Sequence, residues 1–326
     1  MRFVVVGAGA IGGVVGVRLG QHGFDVVLVA RGRQADVIAR HGLTLRTPHE
    51  TVTVTLPVVT SVSDLAWAAG DVALVAVKSQ ATVGVLGEIA AVAPPRTPIV
   101  CLQNGVENER SALRCFPNVY GVLVLCPAGY LEPGTVEAYA VRTTGILDVG
   151  RYPFGSDDVA REVSAAFAAS GFVSRVRQDI MRWKWNKLIA SLGNAVEALC
   201  EPGPGVARLT RQARKEGWTV FAAAGVTAAS RAEDAANRGD LLELGDIGIV
   251  PRAGGSTWQS LARGTGDVET DYLTGEIVLL GRRHGVATPL NEVLQRLARR
   301  MAVERRPPGT FTEEQVLAEL KQAWRP

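Results

Sequence analysis

Cysteine is scarce: Cys101, Cys115, Cys126 and Cys200 are all there is in 326 residues. No C-x-x-C pair occurs among them, which excludes a disulfide framework and favours a reducing, cytoplasmic setting. Histidine is as sparse, and His22, His41, His49 and His284 lack metal-ligand spacing, so no metal is expected. Charge of one sign is also missing. A net +3, with no basic run interleaved with aromatics, excludes a nucleic-acid binder. No stretch approaches the ~20 apolar residues of a membrane span. The apolar segment after Met1-Arg2 resembles a leader, but the glycines between Gly7 and Gly13 break it and it runs straight into strand and helix patterns, so a signal peptide is not expected.

What is present is an ordinary globular mixture, 47% hydrophobic and 21% charged. The chain is longer than the roughly 250–300 residues at which single cores stop growing, so two domains are expected. Short β-branched runs at Phe3–Val6, Asp25–Val29, Val72–Val77 and Pro98–Leu102 alternate with helical stretches and read as buried parallel strands. Leu43–Leu56 alternates in period two around Thr47-Pro48-His49-Glu50, a hairpin inserted at a sheet edge. Strands at Val119–Leu125, Thr135–Ala140 and Phe172–Arg177 complete this α/β domain, residues 1–178. Beyond it, residues 179–326 carry amphipathic stretches at Ile180–Cys200, Arg208–Asn237, Thr270–His284 and Pro289–Val303, an all-α domain.

Gly7-Ala8-Gly9-Ala10-Ile11-Gly12 is a G-x-G-x-x-G between the first strand and a helix, the setting of a Rossmann-type doubly wound sheet. Gly7 serves the tight turn, Gly9 the approach of a pyrophosphate and Gly12 close helix packing. After the second strand, where an NAD site places an acid, the sequence reads Val29-Ala30-Arg31-Gly32-Arg33. A guanidinium grips a 2′-phosphate with two charge-assisted bonds, so NADP(H) is the expected cofactor, with solvated loop arginines as the bland alternative.

Lysine is the rarest cation, five against thirty arginines, so each lysine invites a question. Only lysine can give up a proton at accessible pH. Lys215 and Lys321 sit in charged surroundings. Lys78 follows the apolar third strand, at the end where ligands bind doubly wound sheets. Lys187 lies on a helix with Ser191 one turn along and Asn194 about 700° around, within roughly 20° of the same face. That face is either a polar site or the solvated side of a helix whose apolar stripe is Trp185, Leu188, Leu192 and Leu199.

The combined pattern resembles the ketopantoate reductase family. The glycine turn, Arg31, Lys78 and Gln103-Asn104-Gly105 are followed, in the family's order, by Trp185-x-Lys187-Leu188, Glu269 to Ile277, Arg283-His284-Gly285-Val286 and Thr288-Pro289-Leu290-Asn291. The resemblance implies NADPH-dependent reduction of a small 2-oxo acid, ketopantoate to pantoate. It implies Lys187 as general acid, Glu269 orienting the chemistry, Lys78 and Asn104 at the cofactor, and Asn104, Ser191, Asn194 and Ser256 at the substrate. A homodimer is compatible with it. Two positions depart from the family: Ser191 stands where an asparagine is usual, and Ala81 where Gln or Asp is. These leave open a same-fold dehydrogenase of another oxo or hydroxy acid, and a non-catalytic dinucleotide sensor.

Overall fold

The run Phe3 to Val6 forms a strand because both faces of its sheet are covered: Phe3 and Val5 join one apolar cluster, Val4 and Val6 the other. The computed structural model, which describes residues 1–248 and 254–323, divides into two units. One is Met1–Lys184 with Ser230–Arg252, the other Trp185–Ala229 with Ala253–Pro326.

The chain runs β1 (Arg2–Val6), α1 (Ala10–Gln21), β2 (Asp25–Val29), α2 (Gly32–His41), β3 (Leu43–Arg46), β4 (Thr51–Val54), β5 (Val58–Val59), β6 (Asp71–Val75), α3 (Thr82–Val92), β7 (Ile99–Cys101), α4 (Asn108–Leu113), β8 (Val119–Leu125), β9 (Ala128–Gly129), β10 (Thr135–Ala138), β11 (Ile146–Arg151) and α5 (Asp158–Ala169). Then come α6 (Ile180–Ser191), α7 (Gly193–Leu199), α8 (Pro204–Ala224), α9 (Arg231–Arg238), α10 (Ser256–Ala262), α11 (Thr274–Arg283), α12 (Pro289–Val303) and α13 (Glu313–Ala323). Of the helices after α6, α9 belongs to the first unit.

The main sheet has the order β11-β8-β7-β6-β1-β2-β5, parallel except where β11 meets β8. Strand order reverses between β1 and β6. The crevice at their carboxyl ends therefore opens between the segments following these two strands, the usual ligand position in a doubly wound sheet.

Several elements differ from the sequence reading. The hairpin of β3 and β4 forms, but away from the edge of the main sheet: with β10 and β9 it builds a second sheet, β4-β3-β10-β9. The cause is that Leu43 and Leu45 are fully buried in the cluster beneath α1, and Val136 of β10 is buried with them. Phe172–Arg177 does not become a strand; it meets β11 through isolated bridges at Val173 and Val176, and the Asp148 carboxylate accepts the Arg175 N–H. The stretch Arg208–Asn237 is two helices because Gly225, at φ 66°, ends α8 in the left-handed conformation. Ile180–Cys200 is likewise split at Leu192. Thr270–His284 starts as a 3-10 turn, Thr270–Tyr272, before α11.

Three polar ties hold the first unit. Lys184, 3% exposed, meets fully buried Glu109 at 2.6 Å and donates to the carbonyls of Gln103 (2.8 Å) and Val122 (3.3 Å). Arg177 donates twice to buried Asp148 and lies over the Trp183 ring. Arg182 on α6 forks onto Glu233 of α9 at 2.8 and 2.6 Å, while Ser230 and Glu233 close a capping box.

The second unit is built of helices around Leu188, Leu192, Val196, Leu199, Phe221, Ile277, Leu294 and Leu297, all buried. A Cβ on Gly217 would come within 2.6 Å of Ile189, so glycine sets how closely α8 approaches α6. Thr288-Pro289-Leu290-Asn291 opens α12, and Glu216 accepts the N–H groups of Leu290 and Asn291, both at 3.0 Å, and the Asn291 amide at 2.8 Å. Burial still pushes the Glu216 carboxyl above its ordinary range, against those three donors.

Two expectations follow for stability. Lys184→Met strands a buried carboxylate and should cost about 3–5 kcal/mol in urea unfolding; a cost below about 1 kcal/mol would mean that Glu109 is hydrated. Arg182 first, then the Ser230 N–H, bring the Glu233 carboxyl from its ordinary 4.5 down to about 2. A carboxyl whose folded pKa is lowered stabilises above its unfolded value and loses that contribution as pH falls through the folded one. The Tm difference between wild type and Glu233→Gln should thus be open at neutral pH and close between about 4.5 and about 2; a difference constant over that range would contradict it.

Candidate active site

The glycine turn follows β1. Gly7 has φ 105°, and a Cβ there would strike Val77 at 2.9 Å, so this glycine lets the segment after β1 lie directly against the segment after β6. Gly12 is needed for packing: its Cβ would fall 2.1 Å from the Gly7 carbonyl and 2.9 Å from Ala76. Gly9 differs from both, since nothing stands within 4 Å of a Cβ built there. The protein itself does not require that glycine, whereas a ligand approaching the backbone would. Ala10, Ile11 and Gly12 form the first turn of α1, which holds no acid and receives no side-chain cap from Gly9. Its leading N–H groups and the positive end of the helix dipole are thereby left for an anion.

A cavity of about 240 Å³ opens beside this turn, lined by Gly7, Ala8, Gly9 and Arg31 together with Val62, Val85 and Tyr130. Apolar walls suit a flat heteroaromatic ring and the glycine turn suits a pyrophosphate, so the residues present fit a dinucleotide. Arg31 stands just before α2, makes no side-chain cap and is exposed; its guanidinium meets Glu88 of α3 at 2.7 Å, and Glu88 lines the same cavity. Gln34, also lining it, is occupied in holding the fold, donating to the Ala8 carbonyl and accepting the Gly134 N–H.

Lys78 and Asn104 lie in the segments following β6 and β7, each half-buried. Their backbones are tied by one buried network. Gln103 Nε2 donates to the Val77 carbonyl (2.8 Å) and to Thr82 Oγ1 (2.7 Å); Thr82 donates to Asn108, whose Nδ2 donates to Ser79 Oγ (3.0 Å) and the Asn104 carbonyl (2.9 Å). Gly105 turns the chain at φ 78°. Lys184 grips the Gln103 carbonyl from the opposite side.

In the second unit Lys187 is half-buried on α6, and Ser191 donates its hydroxyl proton to the Lys187 carbonyl at 2.9 Å. Asn194 on α7 lies against the start of α10: a Cβ on Gly255 would stand 3.3 Å from its Oδ1. Ser256 follows Gly255 in the chain, and its Oγ is buried without a hydrogen-bond partner among the described residues. A buried orphan hydroxyl is costly to a fold unless something else bonds it. Within Glu269 to Ile277 three of the six polar side chains are spent on structure: Thr270 bonds Thr274, and Asp271 takes Gln295 and Arg299. Glu269 is half-buried at the start of the 3-10 turn and does not cap it.

Sequence reasoning missed Glu88, Glu109 and Lys184. Lys184 was passed over because its neighbour Lys187 drew the functional reading. The acids gave no signal, because both pair with cations remote in sequence, Arg31 and Lys184.

Residues 3–153 match the family described as Ketopantoate reductase PanE/ApbA, and residues 179–302 match Ketopantoate reductase PanE/ApbA C terminal. The chain is 31% identical to 2-dehydropantoate 2-reductase of Pyrococcus horikoshii over 202 residues, 62% of this chain and 64% of that protein. With the Halobacterium salinarum enzyme of the same name it shares 28% over 315 residues, 92% of this chain and 98% of that one. Among solved structures, a PanE/ApbA family ketopantoate reductase from Ralstonia eutropha superposes with TM-score 0.78 at 27% identity, covering 94% of this chain and 99% of that one. A D-mandelate dehydrogenase solved with NADH and anilino(oxo)acetate superposes with TM-score 0.79 at 21% identity, over 94% and 99%, a likeness of fold alone. A glycine turn at the switch point of a doubly wound sheet, a helical second part and matches to both family regions agree: the chain belongs to the ketopantoate reductase family.

Proposed function

We propose that the protein is an NADP-dependent oxidoreductase that reduces a small 2-oxo acid to the 2-hydroxy acid, with 2-dehydropantoate (ketopantoate) to pantoate as the favoured reaction. The observation that carries this is the cavity shared by the glycine turn and Arg31 in a chain of this family. Its four free cysteines suit a cytoplasmic enzyme.

The bound cofactor supplies a hydride to the keto carbon. Everything else falls to the chain. Ala8, Gly9, Ala10, Ile11 and Gly12 would hold the pyrophosphate through backbone N–H groups, Gly7, whose own N–H is bonded to the Val29 carbonyl, would shape the turn beside it, and Arg31 would take the 2′-phosphate. Lys78 and Asn104, steadied by the Gln103, Thr82 and Asn108 network, are the groups for the cofactor's remaining length and for the substrate. As the hydride arrives, negative charge grows on the keto oxygen. Lys187 stabilises that charge and then gives the proton, becoming neutral as the hydroxyl forms. Glu269 orients this step, and Asn194 and Ser256 hydrogen-bond the carboxylate and hydroxyl ends of the substrate.

One observation favours a second reading, a same-fold dehydrogenase of a different oxo acid. Ser191 stands where the family has an asparagine, and its proton is committed to the Lys187 carbonyl. It offers a substrate an acceptor only, where an amide offers both donor and acceptor.

NADPH oxidation with ketopantoate and a set of bulkier 2-oxo acids separates the two readings. Lys187→Ala should lower kcat by roughly 10²- to 10⁴-fold on whichever acid turns over best, and an unchanged kcat would remove the general-acid role. Arg31→Ala should weaken NADPH binding by roughly ten- to a hundredfold while leaving NADH within about threefold; equal losses for the two would remove the 2′-phosphate role.

A further inference from the structure

Arg31 is already engaged. Its guanidinium meets Glu88 at 2.7 Å, and both side chains line the cavity beside the glycine turn. Glu88 comes from α3, the helix after β6, whereas Arg31 follows β2. The two therefore approach the same cavity from opposite sides of β1. Their exposures, 64% for Arg31 and 42% for Glu88, mean that the pair sits in water and separates at little cost. Arg33 is exposed and outside the cavity lining, so it does not take over the role of counter-ion to Glu88 there.

A carboxylate at this place acts differently on the two nicotinamide dinucleotides. A 2′-phosphate must displace Glu88 from Arg31, and once seated it faces a like charge across the same cavity. A cofactor with a free 2′-hydroxyl meets neither difficulty, since Arg31 can stay paired and the carboxylate can accept a ribose hydroxyl. We propose that Glu88 is a specificity-determining residue: it competes with the 2′-phosphate for Arg31 and so narrows the preference for NADPH over NADH that Arg31 creates. This rests on the assignment of Arg31 to the 2′-phosphate.

The test is titration of NADPH and of NADH, followed by cofactor fluorescence, against the full-length wild type, Glu88→Gln and Arg31→Ala. Glu88→Gln removes the charge and keeps the size at a half-solvated position. It should tighten NADPH by roughly three- to tenfold and leave NADH within about twofold. If Arg31→Ala discriminates between the cofactors while Glu88→Gln leaves NADPH unchanged, weakens it or shifts both cofactors equally, the role of Glu88 is overturned and that of Arg31 stands. If Arg31→Ala affects both cofactors alike, the Arg31 assignment itself fails and the competition falls with it.

Discussion

One buried ammonium organises the carboxyl edge of the main sheet. Lys184 has almost no contact with water, and its hydrogen bonds go to the carbonyls of Gln103 and Val122 while Glu109 balances its charge. Three pieces of chain 62 to 81 residues upstream, the segment after β7, strand β8 and helix α4, are thereby fixed to Lys184. A buried charge tolerates this only when all its partners are present, so the arrangement behaves as a single unit. The neighbouring Cys101 feels the same surroundings: burial, and next the Glu109 carboxylate, push its thiol well above the ordinary range. It is a filler of the core rather than a nucleophile.

From that anchor the polar order continues outward. Gln103 presents its carbonyl to Lys184 and its amide to Val77 and Thr82, so one residue couples the interior to both segments that border the crevice. The glycine turn is rigid for a separate reason, the close approach of Gly7 and Gly12 to Val77 and Ala76. A cofactor arriving here meets donors that are already aimed, and little ordering remains to oppose binding.

Most of the first unit was legible because buried parallel strands announce themselves as apolar runs, and the motif at Gly7 to Gly12 names its own position in such a sheet. The second sheet was not legible. Alternation at Leu43–Leu56 identifies a hairpin, but its partner is set by what Leu43, Leu45 and Val136 cover together, a tertiary fact. The break at Gly225 was visible as a glycine yet outweighed by the helical texture on either side. In the candidate site, residue type and order singled out Arg31 and Lys187, and Arg31 lines the cavity beside the glycine turn. Glu88 escaped notice because its meaning comes from a neighbour 57 positions away.

The first unit is not a contiguous piece of chain. Helix α9, far downstream of α6, returns to it, with Glu233 meeting Arg182 and Asn237 accepting from Arg175 and Arg177. A fragment ending at Lys184 would carry three arginines that each lose an acceptor on the discarded portion. The halves of this protein are therefore poor candidates for separate expression or for exchange with those of a relative at a single splice point, and a chimaera would have to transplant helix α9 along with the rest of the first unit.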